Sequence, residues 1–125
     1  MKKVINTPNA PAPIGPYSQA ILSGNMLFAS GQVAIDPATG ELVLDSLEAE
    51  ATQVMNNLKA VLTEGGATFD NVVMTTIFLA DMGDFATVNG IYGTYFTADF
   101  PARATVAVKT LPKNVNVEIS VIAVK

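Results

Sequence analysis

The segment Val72–Leu79, reading VVMTTIFL, constrains the fold more than any other part of the chain. Its β-branched and apolar side chains occupy both alternating faces, the pattern of a strand covered on both sides. Such a strand belongs inside a layered domain, with helices on one face and a second cover on the other. Leu47, Ala51, Val54, Met55, Leu58, Val61 and Leu62 supply the first helix, recurring at helical spacing as one apolar stripe. Asp45 is placed to cap its start, with Glu48 in capping-box position. Gly65-Gly66 supplies a left-handed stop.

A second helix is expected from after Asp84 to about Phe96, with Phe85, Val88, Tyr92, Tyr95 and Phe96 inward. Gly90 and Gly93 each cost roughly 1 kcal/mol inside a helix relative to Ala, and close packing on the sheet is the expected reason. Residues 6–16 carry Pro8, Pro11, Pro13 and Pro16 and read as an extended loop. Short β-like pieces around residues 18–21 and 26–29 flank a turn at Ser23-Gly24-Asn25. Residues 30–35 lead to a tight turn at 36–40, with Pro37 early and Gly40 late. Residues 104–108 and 115–124 read as a hairpin joined through Pro112. The order is that of one α+β domain over residues 1–125, with two helices on one sheet face.

Composition narrows the chemistry. Charged residues make up only 14% of the chain, against roughly 25% in ordinary soluble domains. A surface this poor in charge is expected to hide part of itself against copies of the same chain. With no Cys there is no disulfide framework, thiolate nucleophile or zinc knuckle. With no His there is no Ser-His-Asp triad and no ordinary transition-metal site, so no metal is expected. The 7 basic and 11 acidic residues leave a net charge of −4 without a basic patch, so no nucleic-acid partner is expected. The basic start Met1-Lys2-Lys3 is not followed by a secretory apolar stretch. No run approaches the roughly 20 apolar residues of a membrane span, so no membrane association and a cytoplasmic location are the expectation.

Chemistry must then rest on Arg, Lys, Asp, Glu, Tyr, Ser, Thr, backbone groups and water. Arg103 enters a run of small and apolar residues, where a guanidinium asks for an anion and its rigid fork suits a carboxylate. On residue type alone, a surface arginine or an internal salt bridge is the simpler reading. Asn116, Glu118 and Ser120 share one face of the last strand. In a simple hairpin register Thr105 would oppose Glu118, and Arg103 would oppose Ser120, giving a polar island on one sheet face. The same register permits a purely architectural Arg103–Glu118 ion pair. Ser30 offers a hydroxyl and Gly31 allows close backbone approach to a ligand, although Ser-Gly is also ordinary at a strand end. Tyr17 stands on the proline-rich loop and Asn89 on the second helix, each also readable as packing or helix surface.

Four stretches, taken together, resemble one family. Asn9-Ala10-Pro11-Ala12-Pro13-Ile14-Gly15-Pro16-Tyr17-Ser18-Gln19-Ala20 is similar to the N-terminal signature of the Rid (YjgF/YER057c/UK114) family. Phe100-Pro101-Ala102-Arg103-Ala104-Thr105-Val106-Ala107-Val108, with Leu111-Pro112 and Val117-Glu118-Ile119, resembles its C-terminal signature. Ser30-Gly31-Gln32 and Asp84-Phe85-Ala86-Thr87-Val88-Asn89 match in between. The resemblance is closest to the RidA branch, the 2-iminobutanoate/2-iminopropanoate deaminases. It implies a chorismate-mutase-like (ferredoxin-like) fold with a mixed sheet, and a homotrimer with a central β-barrel and three clefts between subunits. It implies hydrolysis of reactive enamine and imine acids to 2-oxo acids and ammonia, a metabolite damage-control role, with no cofactor. In that scheme Arg103 holds the substrate carboxylate and Glu118 orients or deprotonates water, with help from Thr105. Ser30, Gly31 and Asn89 line the cleft, and Tyr17 closes it from a neighbouring subunit. Many members carry Cys where Thr105 stands, and Ser120 replaces a frequent second acid. A non-catalytic trimer that binds or senses small carboxylates such as 2-oxo acids is the competing reading.

Overall fold

The computed structural model describes residues 1–125. Strands β1 (Lys2–Ile5), β2 (Ala20–Ser23) and β3 (Met26–Gln32) come first, followed by helix α1 (Leu47–Glu64). Strand β4 (Val72–Leu79), helix α2 (Phe85–Gly93), and strands β5 (Ala102–Ala107) and β6 (Val117–Val124) complete the order. All six strands form one sheet in the order β1-β2-β3-β6-β4-β5. The pairing is antiparallel except between β4 and β5, so this is the mixed sheet of an α+β domain with two helices.

The expected C-terminal hairpin does not form, because β4 lies between β5 and β6. Residue patterning explains the insertion. A strand apolar on both faces gains most in the sheet interior, where both edges also find hydrogen-bond partners. The chain leaving β5 crosses the end of β4, where Val108 N donates to Leu79 O and Ala80 N donates to Asn116 O. Lys113 and Asn114 take left-handed backbone there, with φ of 56° and 58°.

Helix α1 forms where its stripe requires. Val54, Met55, Leu58, Val61 and Leu62 are buried against Leu27, Ile77, Leu79 and Ile119 in one core. Each such side chain contributes roughly 1.5–3 kcal/mol by leaving water. The cap is Ser46 rather than Asp45: Ala49 N donates to Ser46 Oγ at 3.0 Å. The left-handed stop belongs to Gly66, with φ +79°. Gly65 instead makes room for packing, since a Cβ there would lie 2.9 Å from the Leu27 side chain. In α2, Val88 and Tyr92 are buried, followed by Phe96 beyond the helix end. Gly90 and Gly93 do not serve close packing, because a Cβ on either would meet nothing within 4 Å.

The sheet face away from the helices stays open. Across the strands, Val4 pairs with Ile21, Ile21 with Phe28, Phe28 with Ile122 and Ile122 with Met74. Partners in a ladder share a face, so these side chains form one apolar row. Val4, Phe28 and Val106 are among the exposed large hydrophobic residues. No helix is long and apolar enough to cross a membrane.

Candidate functional site

The sheet register separates the expected polar island into two halves. Arg103 pairs with Thr75, Thr105 with Ile77, and Glu118 with Phe78. Thr75 and Ile77 are buried on the helix side, so Arg103 and Thr105 emerge there. Phe78 has the opposite parity, and Glu118 and Ser120 emerge on the open side. An architectural Arg103–Glu118 pair is therefore absent.

The first half gathers at the outer edge of β5. Arg103 Nη1 donates to Asn89 Oδ1 at 2.6 Å. The guanidinium carbon lies 5.4 Å from the Phe85 ring centroid and 5.1 Å from that of Tyr92. Phe85, Asn89 and Tyr92 follow one another at helical spacing, so one face of α2 cradles the cation. Burial holds the Tyr92 phenol protonated to higher pH than usual, and its hydroxyl donates to Thr75 Oγ1 at 3.0 Å. Beside Arg103 opens a cavity of about 410 Å³, flanked by Asn89, Phe100 and Pro101. Thr105 Oγ1 is a buried side-chain polar atom with no hydrogen-bond partner.

The second half gathers around Glu118. Its cavity of about 510 Å³ is lined by Tyr17, Ser30, Gly31, Lys113, Pro112 and Ile14, among others. Between Ala29 and Gln32 the β3–β6 ladder shifts register, so Ser30 and Gly31 bulge out of it. Glu118 lies against that bulge: a Cβ on Gly31 would fall 2.5 Å from Glu118 Oε2. Gly31 thus admits a carboxylate of its own chain to the backbone. Ser30 lines the cavity, but its hydroxyl donates to Ser18 O at 2.6 Å and so fastens the adjoining loop. Desolvation raises the Glu118 pKa above its ordinary value, which makes the carboxylate a stronger base.

Tyr17, Ser30, Gly31 and Glu118 therefore meet in one cavity, and Arg103 and Asn89 border another. A family model described as Endoribonuclease L-PSP matches residues 7–125. The chain belongs to this family, the Rid (YjgF) proteins. Among curated Rid relatives, the 2-iminobutanoate/2-iminopropanoate deaminase of Mus musculus is 50% identical over 125 residues, covering 100% of this chain and 93% of its own. A RutC family protein of Pyrococcus horikoshii is also 50% identical, covering 100% of this chain and 99% of its own. Among solved Rid structures, the YjgF gene product of E. coli superposes with a TM-score of 0.94 at 47% identity, covering 98% of each chain.

Several residues that build the candidate site escaped sequence reasoning. Tyr92 was legible only as helix stripe, yet its ring flanks the cation. Glu50 is 1% exposed on α1, and its carboxylate accepts from Asn116 N, Asn116 Nδ2 and Val117 N at 2.8, 2.7 and 3.2 Å. It thereby fixes the strand end that carries Glu118. An acid one position from the apolar Ala51 was the available signal. Asn57 Nδ2 donates to Val33 O and Ile35 O, both at 3.0 Å, and holds the opposite wall.

Proposed function

We propose that the protein hydrolyses small 2-imino acids, 2-iminobutanoate and 2-iminopropanoate among them, to 2-oxo acids and ammonia. The observation that carries this reading is the complementarity of the two halves. Arg103 is a preoriented cation whose side-chain hydrogen bond goes to an amide, leaving its remaining donors for an anion. Glu118 is a half-buried base beside open space, its pKa raised by burial. The name of the Mus musculus relative supports the same reaction.

Because the halves emerge on opposite faces, the complete site forms between copies of the chain. Arg103, Asn89 and Thr105 come from one protomer, and Tyr17, Ser30, Gly31 and Glu118 from its neighbour. A homotrimer with its open sheet faces turned inward as a barrel buries the apolar row and creates three such clefts. In each, the Arg103 fork holds the substrate carboxylate and fixes the imine carbon. Thr105 Oγ1 finds its missing partner in substrate or ordered water. Glu118 takes a proton from water as its oxygen attacks the iminium carbon. Glu118 returns that proton to the amine nitrogen of the tetrahedral adduct, and ammonia then leaves as the adduct's hydroxyl gives its proton back to the carboxylate and becomes the carbonyl of the 2-oxo acid, so these steps use protein groups and water alone.

The test couples the protein to threonine dehydratase and traps free imine with semicarbazide. Less trapped imine and faster 2-oxobutanoate release are expected with wild type. Trapping that is unchanged by wild-type protein would reject the hydrolase and leave a carboxylate-binding role.

A further inference from the structure

Residues 7–17 belong to no strand or helix, yet they supply Pro11, Ile14 and Tyr17 to the wall of the Glu118 cavity. The prolines of this loop have no N–H, and one backbone–backbone bond, Tyr17 N to Gly15 O, closes within it. The hydrogen bonds that tie residues 7–17 to the rest of the chain come from a single side chain. Gln19 is 1% exposed, and every hydrogen bond of its amide goes to the loop. Oε1 accepts from Thr7 N at 2.7 Å. Nε2, with two hydrogens, lies 3.0 Å from Thr7 O, 2.9 Å from Pro11 O and 3.3 Å from Ala10 O, so that one hydrogen is shared between two carbonyls. The far end is tied by Ser30, whose N–H donates to Gln19 O at 2.9 Å and whose hydroxyl donates to Ser18 O.

We infer that Gln19 is a positioning residue that latches residues 7–11 to the sheet and so holds Tyr17 and the apolar wall over the Glu118 cavity. This rests on reading that cavity as half of the substrate site. The latch is matched to an amide. Three carbonyl oxygens face its donor end and an N–H faces its acceptor end, so neither a carboxylate nor an alkyl group satisfies all four. Without it the loop carbonyls regain water by peeling away, while β2, starting at Ala20, keeps its pairing with β1 and β3. The damage is local, and it falls on binding.

The experiment compares wild type, Gln19→Leu and Gln19→Glu by amide hydrogen exchange, 2-oxobutanoate affinity and imine turnover. Exchange in residues 7–17 is expected to accelerate about tenfold or more while β3, β4 and β6 keep their protection. Affinity for 2-oxobutanoate should fall, and KM rise, by about tenfold, with kcat changed much less. In a Tyr17→Ala background, Gln19→Leu should add little further loss, since the wall it positions is already depleted. Unchanged exchange in the loop would overturn the latch, as would loss of protection throughout the sheet. A lowered Tm with wild-type affinity and KM would reduce Gln19 to an architectural residue. Wild-type protein that binds 2-oxobutanoate but turns over no imine would overturn the enzymatic reading, while exchange and affinity still decide the latch.

Discussion

Arg103 and Glu118 stand on opposite faces of one sheet, with β4 running between their strands. One protomer therefore presents a cation without its base on one side and a base without its cation on the other.

Replacing Arg103 with Ala removes the proposed carboxylate fork. A charge-assisted hydrogen bond is worth roughly 1.5–3 kcal/mol, so kcat/KM should fall on the order of 10²-fold or more. Arg103→Lys keeps the charge but loses the planar fork and its seat between Phe85 and Tyr92, and should recover only part of the loss. The semicarbazide-coupled assay reads both. Equal protection by Arg103→Ala and wild type would remove Arg103 from the site.

Gly31→Ala should displace the Glu118 carboxylate, because the new methyl would lie 2.5 Å from Oε2 and 2.7 Å from Cδ. Both the kcat loss and a changed Glu118 titration, followed by carboxyl-carbon NMR, are expected. A variant with wild-type kcat and titration would refute the contact's importance.

The raised Glu118 pKa has two consequences with definite signs. The proposed reaction uses the carboxylate as base, so kcat/KM should decline as pH falls through a value above 4.5, the group's ordinary pKa. Stability runs the other way. Folding favours the protonated form, so this contribution is fully present below the unfolded pKa and is lost as pH rises through the folded one. Glu118→Gln should thus abolish turnover, yet melt at the same or higher temperature than wild type near neutral pH. That advantage should vanish below the ordinary pKa. Calorimetry across pH checks the sign, and a Gln variant less stable than wild type at neutral pH would contradict it.

How far the sequence foretold this arrangement depends on which interactions are local. The α1 stripe and the both-face apolarity of β4 are written in consecutive residues, and both recur in the structure. The alternation of Val117, Ile119 and Val121 against Glu118 and Ser120 was equally legible, because face parity follows from the pleat. Strand order was not, since β5 and β6 are consecutive in the chain and nothing local reveals that β4 enters between them. That one error moved Arg103 and Thr105 to the wrong face. The apolar faces of β4 held the clue, since a hairpin of β5 and β6 leaves such a strand at an edge. Gly31 was legible as a point of close approach but not what approaches, because Glu118 arrives from 87 positions away in the chain.

Thr105→Val removes the buried oxygen that has no partner. Replacing an unsatisfied polar atom by an apolar group of the same shape is neutral or stabilising. The variant should therefore keep or raise Tm, and a KM increase of a few-fold is expected if the hydroxyl meets substrate. A clear drop in Tm would show that Thr105 is satisfied in the assembled protein by a neighbouring copy or buried water.

Mixing two inactive variants tests the division of the site between protomers most directly. Arg103→Ala and Glu118→Gln chains are co-refolded at equal concentration, and mixed assembly is verified by native mass spectrometry. In the proposed homotrimer, each mixed assembly contains one cleft that joins the intact Arg103 of one chain to the intact Glu118 of the other, so about a quarter of wild-type imine hydrolysis should return. Mixed trimers as inactive as their parents would contradict a cleft built from the Arg103 of one copy and the Glu118 of the next.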